Sequence, residues 1–150
     1  MKIVIQRVSK ASVTVEGEKV ASIGSGLLIL LGIVAEDTQE DINWLTNKIA
    51  NIRIFEDENG IMNKSLLQID GEAIVVSQFT LQASTKKGNR PSYIKAARPE
   101  VAIPMYNAFN TTLESVLKKP IQTGKFGADM KVELLNDGPV TIIIDSKNKE

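Results

Sequence analysis

The 150-residue sequence predicts an α+β fold: one domain with a mixed, largely antiparallel, barrel-like sheet and two main helices. Three observations carry this reading. Short apolar runs recur along the chain, several with the period-two alternation of strands. Only two stretches show helical spacing. The two kinds of segment follow one another in mixed order, not in the strict alternation that builds a doubly wound sheet.

The elements follow in turn. Residues 3–8 read as a strand, and Ser12-Val13-Thr14-Val15-Glu16 as another with one wet face. Residues 20–23 form a short partner, and Gly24-Ser25-Gly26 a turn. Residues 27–34 are apolar on both faces, which places them in the centre of the sheet. Thr38 is a helix N-cap with Asp41 completing a capping box, and Ile42, Leu45, Ile49 and Ile52 are the buried stripe. Arg53-Ile54-Phe55 is a short strand before the turn at Glu58-Asn59-Gly60. Residues 72–81 form another strand, and 82–98 are mostly loop. A second helix covers roughly 99–119, with Val101, Met105, Ala108, Thr112 and Val116 on one stripe. Pro104 predicts a kink there or a later start, and Pro120 ends the helix. Residues 132–135 and 140–144 are the last strands. One domain thus spans 1–145, and 146–150 form a charged tail, expected to be loose.

Composition narrows the chemistry. Eighteen basic and eighteen acidic residues cancel, so any contact with nucleic acid depends on a local patch. The opening seven residues meet charge too early for a secretory signal. The run 27–34 is far shorter than the ~20 residues of a membrane span. A cytoplasmic protein is the expectation. Histidine and cysteine are both absent, which removes Ser-His-Asp triads, Cys-His pairs and His-ligated zinc together. An enzyme built from this chain must use a tuned carboxylate or lysine, or a substrate that supplies its own reactivity.

Three segments remain as carriers of function. Ser77-Gln78-Phe79-Thr80-Leu81 ends an apolar strand. It reads either as an alternating strand end with Phe79 in the core, or as a pocket floor presenting hydroxyls and backbone amides. Thr80 is a poor nucleophile, because no histidine activates it and it is not N-terminal. Asn136-Asp137-Gly138-Pro139-Val140-Thr141 carries Asp-Gly between two strands and so reads as a hairpin turn. Pro139 fits poorly, since it lacks an N–H where pairing should resume. Lys86, Lys87, Arg90, Lys95 and Arg98 follow one another without an acidic residue between 74 and 98. They are solvated surface or, with Tyr93 interleaved, a phosphate-binding patch.

The Ser77–Leu81 and Asn136–Thr141 segments resemble the two signature motifs of D-aminoacyl-tRNA deacylases. Ile5-Gln6-Arg7-Val8 through residue 15 is similar to that family's start, and Arg53-Ile54-Phe55, Met62-Asn63, Arg90-Pro91-Ser92, and Thr123-Gly124-Lys125-Phe126 with Met130 are similar to further stretches of it. The resemblance spans about residues 1–145 in order, with no departure at the motif positions. It implies a homodimer that hydrolyses the ester joining a D-amino acid, or glycine, to the 3′ acceptor end of tRNA. Ser77, Gln78, Phe79 and Thr80 would line the catalytic cavity. Gly138 and a cis-Pro139 would enter it from the other subunit and exclude L side chains, with Arg7 orienting their carbonyls. Lys86, Lys87 and Arg90 would hold tRNA. The resemblance calls for no cofactor and assigns no metal ligand, because the ribose 2′-OH assists the reaction. Two other classes stay open: a non-catalytic RNA-binding module, and an esterase with Thr80 as nucleophile.

Overall fold

A computed structural model describes residues 1–150. The order is β1 (Lys2–Val15), β2 (Glu18–Ile23), β3 (Gly26–Gly32), α1 (Gln39–Asn51), β4 (Phe55–Glu56), β5 (Met62–Lys64), β6 (Glu72–Ser77), a 3-10 turn (Phe79–Gln82), α2 (Pro99–Leu117), β7 (Gln122–Thr123) and β8 (Lys131–Asp145). The main sheet runs β2-β1-β3-β6-β7, with β8 on the other edge of β1. The pairs β3–β6 and β6–β7 are parallel and the rest are antiparallel. Strand β2 also approaches β6 and β7, so the sheet curls nearly closed. The α+β class with two helices and a mixed sheet is therefore the observed architecture.

The predicted central strand explains its own composition. Leu27, Ile29 and Leu31 of β3 face a core shared with Ile42, Leu45 and Ile49 of α1 and with Phe109 and Leu113 of α2. Leu28 faces a second core, inside the curled sheet, with Val8, Val13, Ile23, Ile74 and Val76. A strand between two cores has no wet face, hence its unbroken apolar run. The capping box also forms: the Thr38 N–H donates to the Asp41 carboxylate at 2.8 Å.

Four expectations are corrected. First, the two opening strands are one, β1, which serves both cores: Ile3 and Ile5 lie in the first, Val8, Val13 and Val15 in the second. Second, α2 buries Ala102, Tyr106, Phe109, Leu113 and Leu117, one residue on from the predicted stripe. Both sets have helical spacing. The observed set carries the two aromatic rings and the two leucines, whose larger apolar area decides which face turns inward. The helix starts at Pro99, where the missing N–H costs nothing, and continues through Pro104.

Third, the tail is anchored, not loose, over Ser146 and Lys147. The Ser146 hydroxyl donates to Asp41 at 2.6 Å, and the Lys147 ammonium donates to the same carboxylate at 2.9 Å. The Met1 ammonium meets Asp37 and Ser146 in the same buried knot. Fourth, no hairpin forms at residues 136–139. Strand β8 continues through them, antiparallel to β1 on both sides. A hairpin signal is local, whereas here both flanks find the same neighbour, β1, and the intervening residues are extruded as a bulge.

Candidate active site

Strand β6 ends at Ser77, beside the last residues of β3. Ser77 pairs with Leu31, and the Gln78 N–H donates to the Leu31 carbonyl at 2.7 Å. The chain then turns into the 3-10 segment, which the Gln82 amide ties back to the Gly32 carbonyl at 3.0 Å. The predicted strand 72–81 is thus shortened to Ser77, and Phe79 is not core. It is 56% exposed and meets Tyr93 edge to face, with centroids 5.1 Å apart. The reading of Ser77–Leu81 as an alternating strand end with Phe79 in the core is therefore corrected.

A cavity of about 280 Å³ opens beside this turn. Ser77, Gln78 and Phe79 form its polar-and-aromatic floor, and Phe126, Met130 and Ala102 form much of its apolar wall. Asp129 is the one ionisable lining residue, and its carboxylate pairs with Lys131 at 3.1 Å. The wall is backed by Tyr106, whose hydroxyl donates to the Val75 carbonyl at 2.8 Å and whose ring meets Phe126 at 5.6 Å. Burial raises the Tyr106 pKa, so this hydroxyl stays a neutral donor. Gly124 lets the wall close: a Cβ there would stand 2.5 Å from the Met130 sulfur.

Thr80 lies on the turn but not among the cavity's lining residues. Its hydroxyl accepts a hydrogen bond from the Gln78 amide. An amide N–H cannot take a proton from a hydroxyl, so nothing in this contact activates Thr80 as a nucleophile. The backbone N–H groups of Phe79 and Thr80 open the turn, where a helical segment supplies no acceptor and no side chain caps them.

Gly138 and Pro139 are in a different place. Gln6 and Val8 of β1 pair with Thr141 and Asn136, so Arg7 alone stands opposite residues 137–140. The surplus bulges outward, with Asp137, Gly138 and Pro139 exposed. The Gly138–Pro139 bond is cis. Arg7, buried to 6% exposure, donates from Nε to the Asp137 carbonyl at 2.9 Å and from Nη1 to the Ile54 carbonyl at 2.8 Å. It therefore grips the peptide before Gly138 rather than the carbonyls of Gly138 or Pro139. Gly138 has φ +139, and a Cβ there would meet Val140 Cγ2 at 2.8 Å and Arg7 Nη2 at 3.1 Å. Within one chain neither Gly138 nor Pro139 lines the cavity.

Lys86, Lys87 and Arg90 are exposed on the loop after the 3-10 turn. Reciprocal backbone bonds between Ser84 and Ser92, at 2.8 and 2.9 Å, close that loop at its base. None of the three has a carboxylate within 4.0 Å. The structure thus keeps Ser77–Thr80 and the basic loop adjacent, and Arg7 with Gly138 and Pro139 apart from them. Sequence reasoning missed the residues around Phe126 and Met130 as cavity wall, Tyr93 as the partner of Phe79, and Asn136. The Thr123–Phe126 stretch with Met130 was visible only as part of a resemblance, because apolar residues in a loop carry no chemical signal of their own.

The model of the family described as D-Tyr-tRNA(Tyr) deacylase matches residues 4–145. The chain belongs to that family. A D-aminoacyl-tRNA deacylase of Flavobacterium psychrophilum is 69% identical over 150 residues, covering all of both chains. One from Parabacteroides distasonis is 65% identical over the same span. Among solved structures, one titled c-Myc DNA Unwinding Element Binding Protein superposes with TM-score 0.92 at 47% identity, covering 97% of this chain and 98% of that one. A probable eukaryotic D-amino acid tRNA deacylase superposes with TM-score 0.82 at 15% identity, covering 95% and 97%, and so shares the fold. Membership in the D-Tyr-tRNA(Tyr) deacylase family makes the chain a hydrolase of translation quality control with aminoacyl-tRNA as substrate. No helix is long and apolar enough to cross a membrane.

Proposed function

We propose that this deacylase works in the cytoplasm as a homodimer, cleaving D-aminoacyl-tRNA and glycyl-tRNA with Gly138 and Pro139 of each subunit guarding the cavity of the other. The observation that carries this reading is the bulge. Three consecutive exposed residues are held out from an edge strand by a buried arginine, away from the cavity of their own chain. A feature so braced yet so exposed suits contact with a second molecule.

In this reading the terminal adenosine enters beside Phe79 and the aminoacyl ester lies over Ser77 and Gln78. Water adds to the ester carbonyl, and the N–H groups of Phe79 and Thr80 receive the negative charge that develops on its oxygen. The bond to the ribose 3′-oxygen then breaks. The proton released by the attacking water ends on that oxygen, relayed through the neighbouring 2′-OH. The substrate supplies the proton relay, and the protein supplies position and charge stabilisation. This suits a cavity whose one ionisable lining side chain is Asp129.

Chirality is judged by exclusion. Exchanging a hydrogen and a side chain at one carbon changes binding weakly, by about 1–3 kcal/mol per methylene-sized difference. A braced carbonyl in the path of the L side chain does better, because a well-packed site does not relax around the clash. Glycine has no side chain to reject. Lys86, Lys87 and Arg90 hold phosphates of the acceptor end.

The test is a deacylation assay on D-tyrosyl-, glycyl- and L-tyrosyl-tRNA, with the molar mass in solution measured alongside. The first two substrates are cleaved, the third is left intact, and the mass is that of two chains. Comparable cleavage of D- and L-tyrosyl-tRNA overturns the chiral reading, and an active monomer overturns the cross-subunit one.

A further inference from the structure

We infer that Asn136 is a positioning residue for chiral selection: its side-chain amide clamps the two ends of the 137–140 bulge and so sets where Gly138 and Pro139 stand. The inference rests on the proposed role of those two residues. The clamp is visible in the bonds. Asn136 Nδ2 donates to the Arg7 carbonyl on β1 at 3.0 Å and to the Val140 carbonyl on β8 at 3.0 Å. Both hydrogens of one amide group are thereby used, one across the strands and one across the mouth of the bulge.

The geometry explains why a clamp is needed. A bulge with one residue facing four has lost its ladder bonds over that stretch, so the backbone between Asn136 and Thr141 has no regular pairing to hold it. Arg7 grips its first peptide, through the Asp137 carbonyl. Asn136 ties the carbonyl of Val140, on the far side of Pro139, back to the near side. The Gln6 amide reaches Thr141 at 3.3 Å, which holds the strand beyond the bulge but not the bulge itself. Arg7 and Asn136 together therefore hold Gly138 and Pro139 at both ends. Exclusion by clash depends on the excluding atoms not yielding, so loosening one end admits L substrates before it harms D substrates.

The expected signature is a selective one. In the full-length enzyme, Asn136→Ala removes the amide and Asn136→Asp keeps its shape without its donors. In both, the ratio of D-tyrosyl- to L-tyrosyl-tRNA cleavage falls roughly tenfold or more, the size expected when two hydrogen bonds to one group are lost. The change comes mainly from a gain on L-tyrosyl-tRNA, which a merely structural role would not produce. Should both variants fail to fold, Asn136→Ser, whose single short donor cannot bridge both carbonyls, is measured the same way. A folded variant that keeps the wild-type ratio within twofold overturns the clamp. A wild-type enzyme that does not prefer D-tyrosyl-tRNA instead strikes the reading beneath it, and the same assay tells the two failures apart.

Discussion

Two regions of this molecule spend polar groups in opposite ways. Where the chain's two ends meet, charged side chains crowd together: Asp37, Asp41 and Lys147 with the Met1 ammonium and Ser146. Burial pushes the Asp41 carboxyl up, but hydrogen bonds from Ser146, Lys147 and the Thr38 N–H outweigh it and hold the pKa well below the usual carboxylate range. The bond to Asp41 raises Lys147 correspondingly. The candidate site has the reverse character. Its floor is a serine, an amide and a phenyl ring, and its proposed guard is glycine and proline in a bulge held by Arg7 and Asn136. The titratable groups at the chain ends serve stability, while in the proposed reading selection and chemistry rest on backbone groups and amides, with Arg7 the one charged donor.

That contrast can be attacked from its strongest side first. Gly138→Ala adds a Cβ at φ +139, against Val140 and Arg7, at a strain of about 1–3 kcal/mol. The bulge must shift, and cleavage of D-tyrosyl-tRNA should fall roughly a hundredfold or more while the protein stays folded. An active variant with unchanged selectivity would remove Gly138 from the site.

Asp41→Asn should do the opposite. It weakens charge-assisted bonds worth ~1.5–3 kcal/mol each, so melting should drop by roughly 5 °C or more, with kcat/KM within twofold of wild type. The pH dependence has a definite sign. The folded-state pKa of Asp41 is depressed, so its contribution is complete above ~3.9 and is lost as pH falls through the lower folded value. Lys147 is raised, so its share is complete below ~10.4 and is lost as pH rises through the folded value. Wild type and variant should therefore converge in stability only in strong acid, measured by denaturant titration across pH. Convergence already at pH 5 would show that Asp41 is not held as described.

Smaller effects test the edges of the comparison. Changing Lys86, Lys87 and Arg90 together to alanine should raise KM roughly tenfold and flatten the salt dependence by about two to three units of log–log slope, with kcat and melting little changed. An unaltered salt slope would make the loop plain solvated surface. Thr80→Ala should cost less than about tenfold, since it removes one neutral hydroxyl, whereas loss of a true nucleophile costs orders of magnitude.

Much of this was legible in the residues. The period-two runs and the capping box at Thr38 marked real elements. So did the doubly apolar run of β3. The absence of histidine and cysteine already removed His-based triads and thiolate catalysis, leaving a tuned carboxylate, a lysine or the substrate itself. The misfit of Pro139 in a hairpin was a true signal, though its resolution was a bulge. The α2 stripe slipped by one residue because two adjacent rows share helical spacing and only contact with α1 and the sheet chooses between them.

The sequence by itself determined the fold class, the family, and the kind of chemistry that residues such as Ser77, Gln78 and Gly138 are able to perform. Fold class and chemical capacity follow from local preference and residue type, and the family from the resemblance of the motifs, all of which are properties of the chain alone. Only the tertiary structure decided that β6 stops at Ser77 and turns Phe79 to the surface, that Asp41 fastens the tail, and that Asn136 bridges the carbonyls of Arg7 and Val140. Each depends on a partner far away in sequence. A hydrogen bond between residues 129 positions apart leaves no local trace, because the donor's identity says what it is able to bond and only the packing of β1 against β8 says to what.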